Sequence, residues 1–260
     1  MEFNKDNKLR VFFAFAGYDS QCLALERLKR DYPQFDYKLV GWSEIDKYAI
    51  QAHNALFPHE ADLNYGDISK IDWSNVPDFD LFTYSFPCTD ISNAGQQRGF
   101  DEGSGTRSSL LWECRKAIVQ KRPKYLLMEN VKAICSKKFM PLFHKWLQSL
   151  EVYGYYTNWA VLNAKNYGVP QNRERCFAIS IRRDLLDPSP VYHFPEPFPL
   201  ELRLKDILEP KVDERHYLSD KMIKNILSDS GAFVLKSLLP PPQWSSINIE
   251  CKNGKNGEAR

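Results

Sequence analysis

DLFTYSFPCTDIS, Asp80 to Ser92, is the stretch on which the reading of this chain turns. An apolar and aromatic run ends at Pro87-Cys88 and gives way to small polar residues. Residues of that kind favour a buried strand, here one that delivers a cysteine to the start of a loop. A cysteine in such a place is either a nucleophile or a buried structural thiol. The stretch alone leaves both readings open.

The flanking sequence supplies the frame. Leu9 to Phe15 reads as a strand that turns at Ala16-Gly17. Asp19 or Ser20 is expected to cap a helix with an apolar stripe of Cys22, Leu25 and Leu28. Tyr37 to Ser43 reads as a second strand and Ile45 to Phe57 as a second helix. Strand then follows at Asp80 to Phe86, helix at Ser108 to Gln120, strand at Lys124 to Met128 and helix at Phe139 to Leu150. Tyr155 to Leu162 and Cys176 to Ile181 are two more strands, joined by a polar loop. This alternation predicts a parallel α/β sheet. Asn93 to Thr106, with four glycines, is expected to be a mobile loop. Leu204 to Leu208 and Ser219 to Leu227 are candidate short helices.

Composition narrows the class. Hydrophobic residues make up 43% and charged residues 26%, with a net charge of +2, values ordinary for a globular protein. The charge neither demands nor excludes nucleic acid. Clusters such as Arg115, Lys116, Lys121, Arg122 and Lys124 read first as solvated faces. The six cysteines form no CxxC pair and the histidines no HxxxH spacing, so a reduced, metal-free, cytoplasmic protein is expected. No run approaches the roughly 20 apolar residues of a membrane span.

Open α/β sheets bind ligands beyond the carboxyl ends of their strands, and four groups stand there. Gly17 lets backbone approach a ligand. Glu44 suits a ribose hydroxyl, or is a plain surface glutamate. Cys88 is the third. Glu129 follows the apolar run YLLM, where a carboxylate is costly unless paired or functional. A thiolate adding to an electron-poor ring carbon needs such an acid nearby. Arg173 and Arg175 suit a carbonyl oxygen or phosphate; the alternative is an ion pair with Glu174.

On these residues the chain resembles the DNA (cytosine-5)-methyltransferases. FAGYDSQCLAL is similar to their first motif, SEIDKYA to the second and GDI (Gly66 to Ile68) to the third. SFPCTDIS resembles the nucleophile motif, LLMENVKAI the ENV motif and NYGVPQNRER the eighth motif. The resemblance implies a doubly wound, Rossmann-like S-adenosylmethionine-dependent sheet. It implies Phe15, Gly17, Glu44, Ile45, Asp67, Ile68 and Pro87 around S-adenosylmethionine. It also implies that Cys88 attacks C6 of a cytosine flipped from double-stranded DNA, with Glu129, Arg175 and Arg173 holding the base. The Cys-Phe-Thr insertion of the tRNA-methylating branch is not found. A bacterial or phage source and a restriction-modification role are the corresponding expectations.

Two departures stand out. Tyr18, Asp19 and Ser20 occupy positions where the first motif usually reads xGG, and Thr89 replaces a common glutamine. The family's target-recognition region and its ninth and tenth motifs are not found either. Residues 1–185 are therefore expected to form the catalytic domain and 186–230 a proline-rich connector. Residues 231–260 would be the start of the recognition region or a tail. The expected partner besides DNA is a second subunit carrying the recognition region. The competing readings are a truncated enzyme and a non-catalytic S-adenosylmethionine- or DNA-binding remnant.

Overall fold

Leu9–Ala14 (β1) is an interior strand of the sheet because both of its faces are apolar. Val11 and Phe13 point to one side and Phe12 and Ala14 to the other, all with no exposed surface. A strand of that pattern is stable only with cover on both sides. The computed structural model describes residues 3–92, 95–186 and 192–228. It divides into two compact units, Met1–Asp206 and Ile207–Arg260.

The first unit is built on a six-stranded sheet. Its other strands are Tyr37–Ser43 (β2), Leu81–Tyr84 (β3), Tyr125–Val131 (β4), Tyr155–Asn163 (β5) and Glu174–Arg182 (β6), in the order β2-β1-β3-β4-β6-β5. β2, β1, β3 and β4 are mutually parallel, as expected. β6 runs antiparallel to both β4 and β5, so the sheet is mixed. Only a short connection follows β5, too short for the crossover a parallel neighbour requires.

Helices flank the sheet. Ser20–Asp31 (α1) and Lys47–Leu56 (α2) belong with β1 and β2, where Cys22 and Leu25 join Val11, Phe13 and Trp42 in one core. Cys114–Lys121 (α3) and Met140–Val152 (α4) build the larger core on the other face, with Phe82, Tyr84, Met128, Phe143 and Trp146. Asp19 caps α1 and Asp46 caps α2 by accepting from Tyr48 and Ala49 N–H at 2.9 Å. That cap starts α2 at Lys47 and leaves Ile45 outside the helix.

Several boundaries differ from expectation. Glu129 and Asn130 lie inside β4 rather than beyond it, because β6 continues pairing alongside, with Glu129 opposite Phe177 and Asn130 opposite Cys176. The helix expected from Ser108 opens as a 3-10 helix, Arg107–Glu113, before α3. The described part of the glycine-bearing loop is anchored at Phe100, fully buried, whose carbonyl accepts from Trp112 Nε1 at 2.8 Å. In the second unit, Asp220–Ser228 (α5) follows a 3-10 turn, Glu214–His216. Pro188 and Pro190, Asn93, and the tail expected over 231–260 lie outside the described residues.

Asp80 joins three strands at their starts. Its carboxylate accepts from Arg10 N–H at 3.1 Å and Arg10 Nε at 2.9 Å, and pairs with Lys124 Nζ at 2.6 Å. Burial alone would raise its pKa; the two cations overcome that and hold it at about 2. A carboxyl depressed in the folded state stabilises above its unfolded value and loses that contribution as pH falls through the folded one. Asp80→Asn is therefore expected to cost about 2 kcal/mol at pH 7. Urea titrations of the two proteins should converge as pH drops from about 4 towards about 2.

Candidate active site

The chain winds outward from β1 to β2 and then returns to β3 on the other side. That reversal leaves a crevice at the carboxyl ends of β1 and β3, where Ala14 and Tyr84 are register partners. Past β1 the backbone turns through Phe15, Gly17 and Asp19, at φ of 57°, 62° and 67°. A side chain at Gly17 would meet nothing within 4 Å, so the space in front of it is open.

Glu44, at the end of β2, is no idle surface glutamate. Its carboxylate accepts from Gly17 N–H at 3.0 Å, Ile45 N–H at 2.7 Å and Asp46 N–H at 2.9 Å. Asn64 fastens this corner. Its side-chain oxygen accepts from Glu44 N–H at 3.2 Å and Gly66 N–H at 2.9 Å, and its amide donates to the Glu44 carbonyl at 3.1 Å. Sequence reasoning missed Asn64; an Asx residue two before a glycine was the available signal. Asp67 caps the next turn through Ser69, which lowers its pKa, and Ile45 is 64% exposed beside Glu44. Ile68, in contrast, is buried in the larger core.

The residues after β3 are held carbonyl by carbonyl. Phe86 C=O accepts from Asn130 Nδ2 at 2.9 Å, Pro87 C=O from Ser108 Oγ at 2.6 Å, and Cys88 C=O from Ile91 and Ser92 N–H at 3.0 and 2.8 Å. Asp90, buried behind them, pairs with Arg98 at 2.7 Å. The Cys88 thiol is only half-buried, whereas Cys22, Cys114 and Cys176 are fully buried. Burial pushes the Cys22 and Cys114 thiols up.

Glu129 is paired. Arg175 Nε lies 3.0 Å from its carboxylate, with both side chains partly exposed. Of the two arginines for which an ion pair with Glu174 is the alternative, Arg175 pairs with Glu129 and donates only to the Glu174 backbone carbonyl, at 2.8 Å, while the Glu174 carboxylate takes Lys132 at 3.0 Å. The neighbouring positions of β4 and β6 place Glu129 and Arg175 on one sheet face. There, with Phe15 and Arg173, they line a groove of about 1150 Å³ that is otherwise largely apolar. Cys88, Glu44 and Asp67 are not among its lining residues. Among the described residues no cluster of three or more His, Cys, Asp or Glu could hold a metal ion. None of their helices is long and apolar enough to cross a membrane.

Comparison with known proteins gives the family and the fold. The family model for C-5 cytosine-specific DNA methylase matches residues 9–232. The type II methyltransferase M2.ScrFI of Lactococcus lactis subsp. cremoris is 40% identical, over 85% of this chain and 74% of its own length. The orphan methyltransferase M.SPRI of Bacillus phage SPR is 32% identical, over 96% of this chain and 61% of its own. The chain spans about half to three quarters of the length of these and other curated relatives. In fold it is similar to a DNMT2 variant of Spodoptera frugiperda, at TM-score 0.63 and 20% identity, over 84% of this chain and 65% of that one.

Asn130 is the joint between the two halves of the site, buried at 2% exposure. Asn130→Ala leaves the Phe86 carbonyl without its donor, which costs about 1–3 kcal/mol. The same change is expected to loosen Pro87-Cys88. Alkylation of Cys88 by iodoacetamide, mapped by mass spectrometry, should then be several-fold faster than in the parent protein while Cys114 stays protected.

Proposed function

The chain belongs to the C-5 cytosine-specific DNA methylase family, and from that premise we propose that it methylates C5 of cytosine in double-stranded DNA, with S-adenosylmethionine as methyl donor and Cys88 as nucleophile. The observation that carries this reading is the pairing of Glu129 with Arg175 at 3.0 Å, on strands joined through Asn130 to the Cys88 segment. The activity is that of a DNA (cytosine-5-)-methyltransferase, carried by residues 1–185.

The residues at the crevice fit the donor. Glu44 offers a fixed carboxylate for ribose hydroxyls, Ile45 an exposed apolar side chain for the adenine, and Asp67 an acceptor for its amino group. Phe15, Gly17 and Pro87 line the remainder, and Ile68 supports the site from the core. When bound, S-adenosylmethionine supplies an electrophilic methyl group.

The protein's own groups do the rest. The Cys88 thiolate forms a bond to C6 of a flipped cytosine, and the C5–C6 double-bond electrons become available at C5. Glu129 holds N3 and the exocyclic amine, and Arg175, with Arg173 beside it, holds the O2 side. This spreads the charge that develops on the ring. After C5 is methylated, loss of its proton restores the double bond and expels Cys88. Between Phe100 and Thr106, whose hydroxyl donates to Gly99 C=O at 3.0 Å, the loop has Gly103 and Gly105 with which to close over DNA.

The same reading includes a polypeptide element over the groove, from a longer chain or a second subunit. β4 and β6 are interior strands. Among the described residues Leu127, Phe177 and Ile179 line an open groove there, an apolar surface that such an element would cover. The reading includes a role in DNA modification within a bacterial cytoplasm; the names of two relatives, a type II methyltransferase and a phage orphan methyltransferase, support the modification role.

Methyl transfer from labelled S-adenosylmethionine to DNA is expected to be slow with this chain and to rise when a polypeptide carrying the relatives' remaining length is added. Under those conditions the chain should be trapped covalently on 5-fluorocytosine DNA. Cys88→Ser should abolish trapping, and Glu129→Gln should slow transfer about 10²–10³-fold. Persistent trapping by Cys88→Ser would sink the assignment. No trapping by the complemented parent would favour a non-catalytic binding remnant.

A further inference from the structure

The turn after β1 contains a feature that the chemistry above does not use. Asp19 sits at φ 67°, ψ 64°, a region that disfavours side chains and that Asp tolerates better than most. Its N–H donates to Ala16 C=O at 2.9 Å, and its Oδ1 accepts from Cys22 N–H at 2.9 Å. Its second oxygen, Oδ2, faces His53 Nε2 of α2 at 3.5 Å. Both side chains have no exposed surface. Neither of these atoms makes a hydrogen bond. The imidazole is clamped, stacked on Trp42 with ring centres 3.8 Å apart, and its Nδ1 lies 3.3 Å from Asn54 Oδ1. Two buried polar atoms aimed at each other at this distance are costly unless a proton lies between them.

We infer that Asp19 and His53 share one proton, and that this pair is the positioning element that holds the 15–19 turn in the shape that receives the cofactor; the inference rests on the cofactor reading above. The turn carries Phe15 and Gly17 on one side of the crevice. α2 follows directly from Glu44–Asp46 on the other. The Glu44 bond to Gly17 N–H ties the two sides at the crevice, and the Asp19–His53 pair ties them a second time behind it.

The surroundings leave the proton to this pair. The ionisable groups nearest Asp19 are Cys22 on α1 and Glu60. Tyr37 on β2 lies 3.0 Å from Cys22, Glu26 accepts from Tyr37, and His59 lies near Glu60. Burial raises the Asp19 carboxyl to about 7, with Glu60 pushing the same way, and burial lowers His53. A carboxyl raised on folding stabilises fully below its unfolded value and loses that contribution as pH rises through the folded one. The pair therefore holds its proton in mild acid and gives it up near neutrality.

The test uses the full chain and two readouts. Melting temperature is followed between about pH 5 and about pH 8, and the affinity for S-adenosylhomocysteine is measured by calorimetry over the same range. Asp19→Asn keeps the cap acceptor and the left-handed turn. It is expected to flatten the fall in melting temperature that the parent shows. It should also bind with an affinity independent of pH, while the parent weakens about threefold or more. His53→Leu should bind about tenfold more weakly, at a cost of one lost buried hydrogen bond. His53→Gln should restore affinity without restoring the pH dependence. Identical melting-temperature slopes in the parent and Asp19→Asn overturn the pair. If the parent does not bind S-adenosylhomocysteine, the cofactor reading fails, and with it the positioning role, while the shared proton is judged by the slopes alone.

Discussion

Asp80 is the buried charge on which the alignment of the sheet depends. It precedes β3, yet its carboxylate binds the backbone and guanidinium of Arg10 in β1 and the ammonium of Lys124 just before β4. Its own backbone continues the pattern, with N–H donating to Arg10 C=O and C=O accepting from Tyr125 N–H. Three strands thus begin level with one another. In that register Ala14, Tyr84 and Met128 stand side by side, so β1 and β3 end level at one edge while β4 runs on to Val131. Phe15 and Glu129, each one position beyond that level, line one groove and owe this to a contact at the opposite end of the sheet.

At that edge the fold spends polar side chains on fixing backbone. Glu44, Asn64 and Asp67 are engaged with N–H groups and a carbonyl around the first crevice. Asn130, Ser108 and Asp90 hold the segment around Cys88. Loops that carry chemistry are most effective when rigid elements position them. The result is a site whose acceptors are already oriented, including a carboxylate at Glu129 kept in place by Arg175. The groove beside that ion pair shows the opposite situation, an apolar face of the interior strands β4 and β6 that lies open among the described residues.

Much of this was legible from local pattern. The strands at Leu9, Tyr37 and Tyr155, a cap at Asp19 or Ser20 and the helix near Met140 follow from apolar periodicity and capping chemistry within a few residues, and the structure puts the cap at Asp19. The family could be named from short motifs. The antiparallel insertion of β6 was not legible, because register with β4 depends on residues far apart in the chain. For the same reason local pattern ends the strand before Glu129, which lies within it, and does not distinguish Glu129 from Glu174 as the partner of Arg175. Asn64 escaped notice because its importance lies entirely in which backbone groups come within its reach.

The sequence by itself determined the family, the alternation of strands and helices, and the residue types available for chemistry at the strand ends. These are encoded by neighbours in the chain and by motif spacing. Only the tertiary structure decided which of those residues share a surface. It paired Glu129 with Arg175, buried Ile68 while exposing Ile45, and set Asp19 against His53. The physical reason is common to all three. Burial and pairing are properties of the folded arrangement, and a side chain acquires its partner only when segments distant in sequence, strands for Glu129 and Arg175 and a turn and a helix for Asp19 and His53, are brought together.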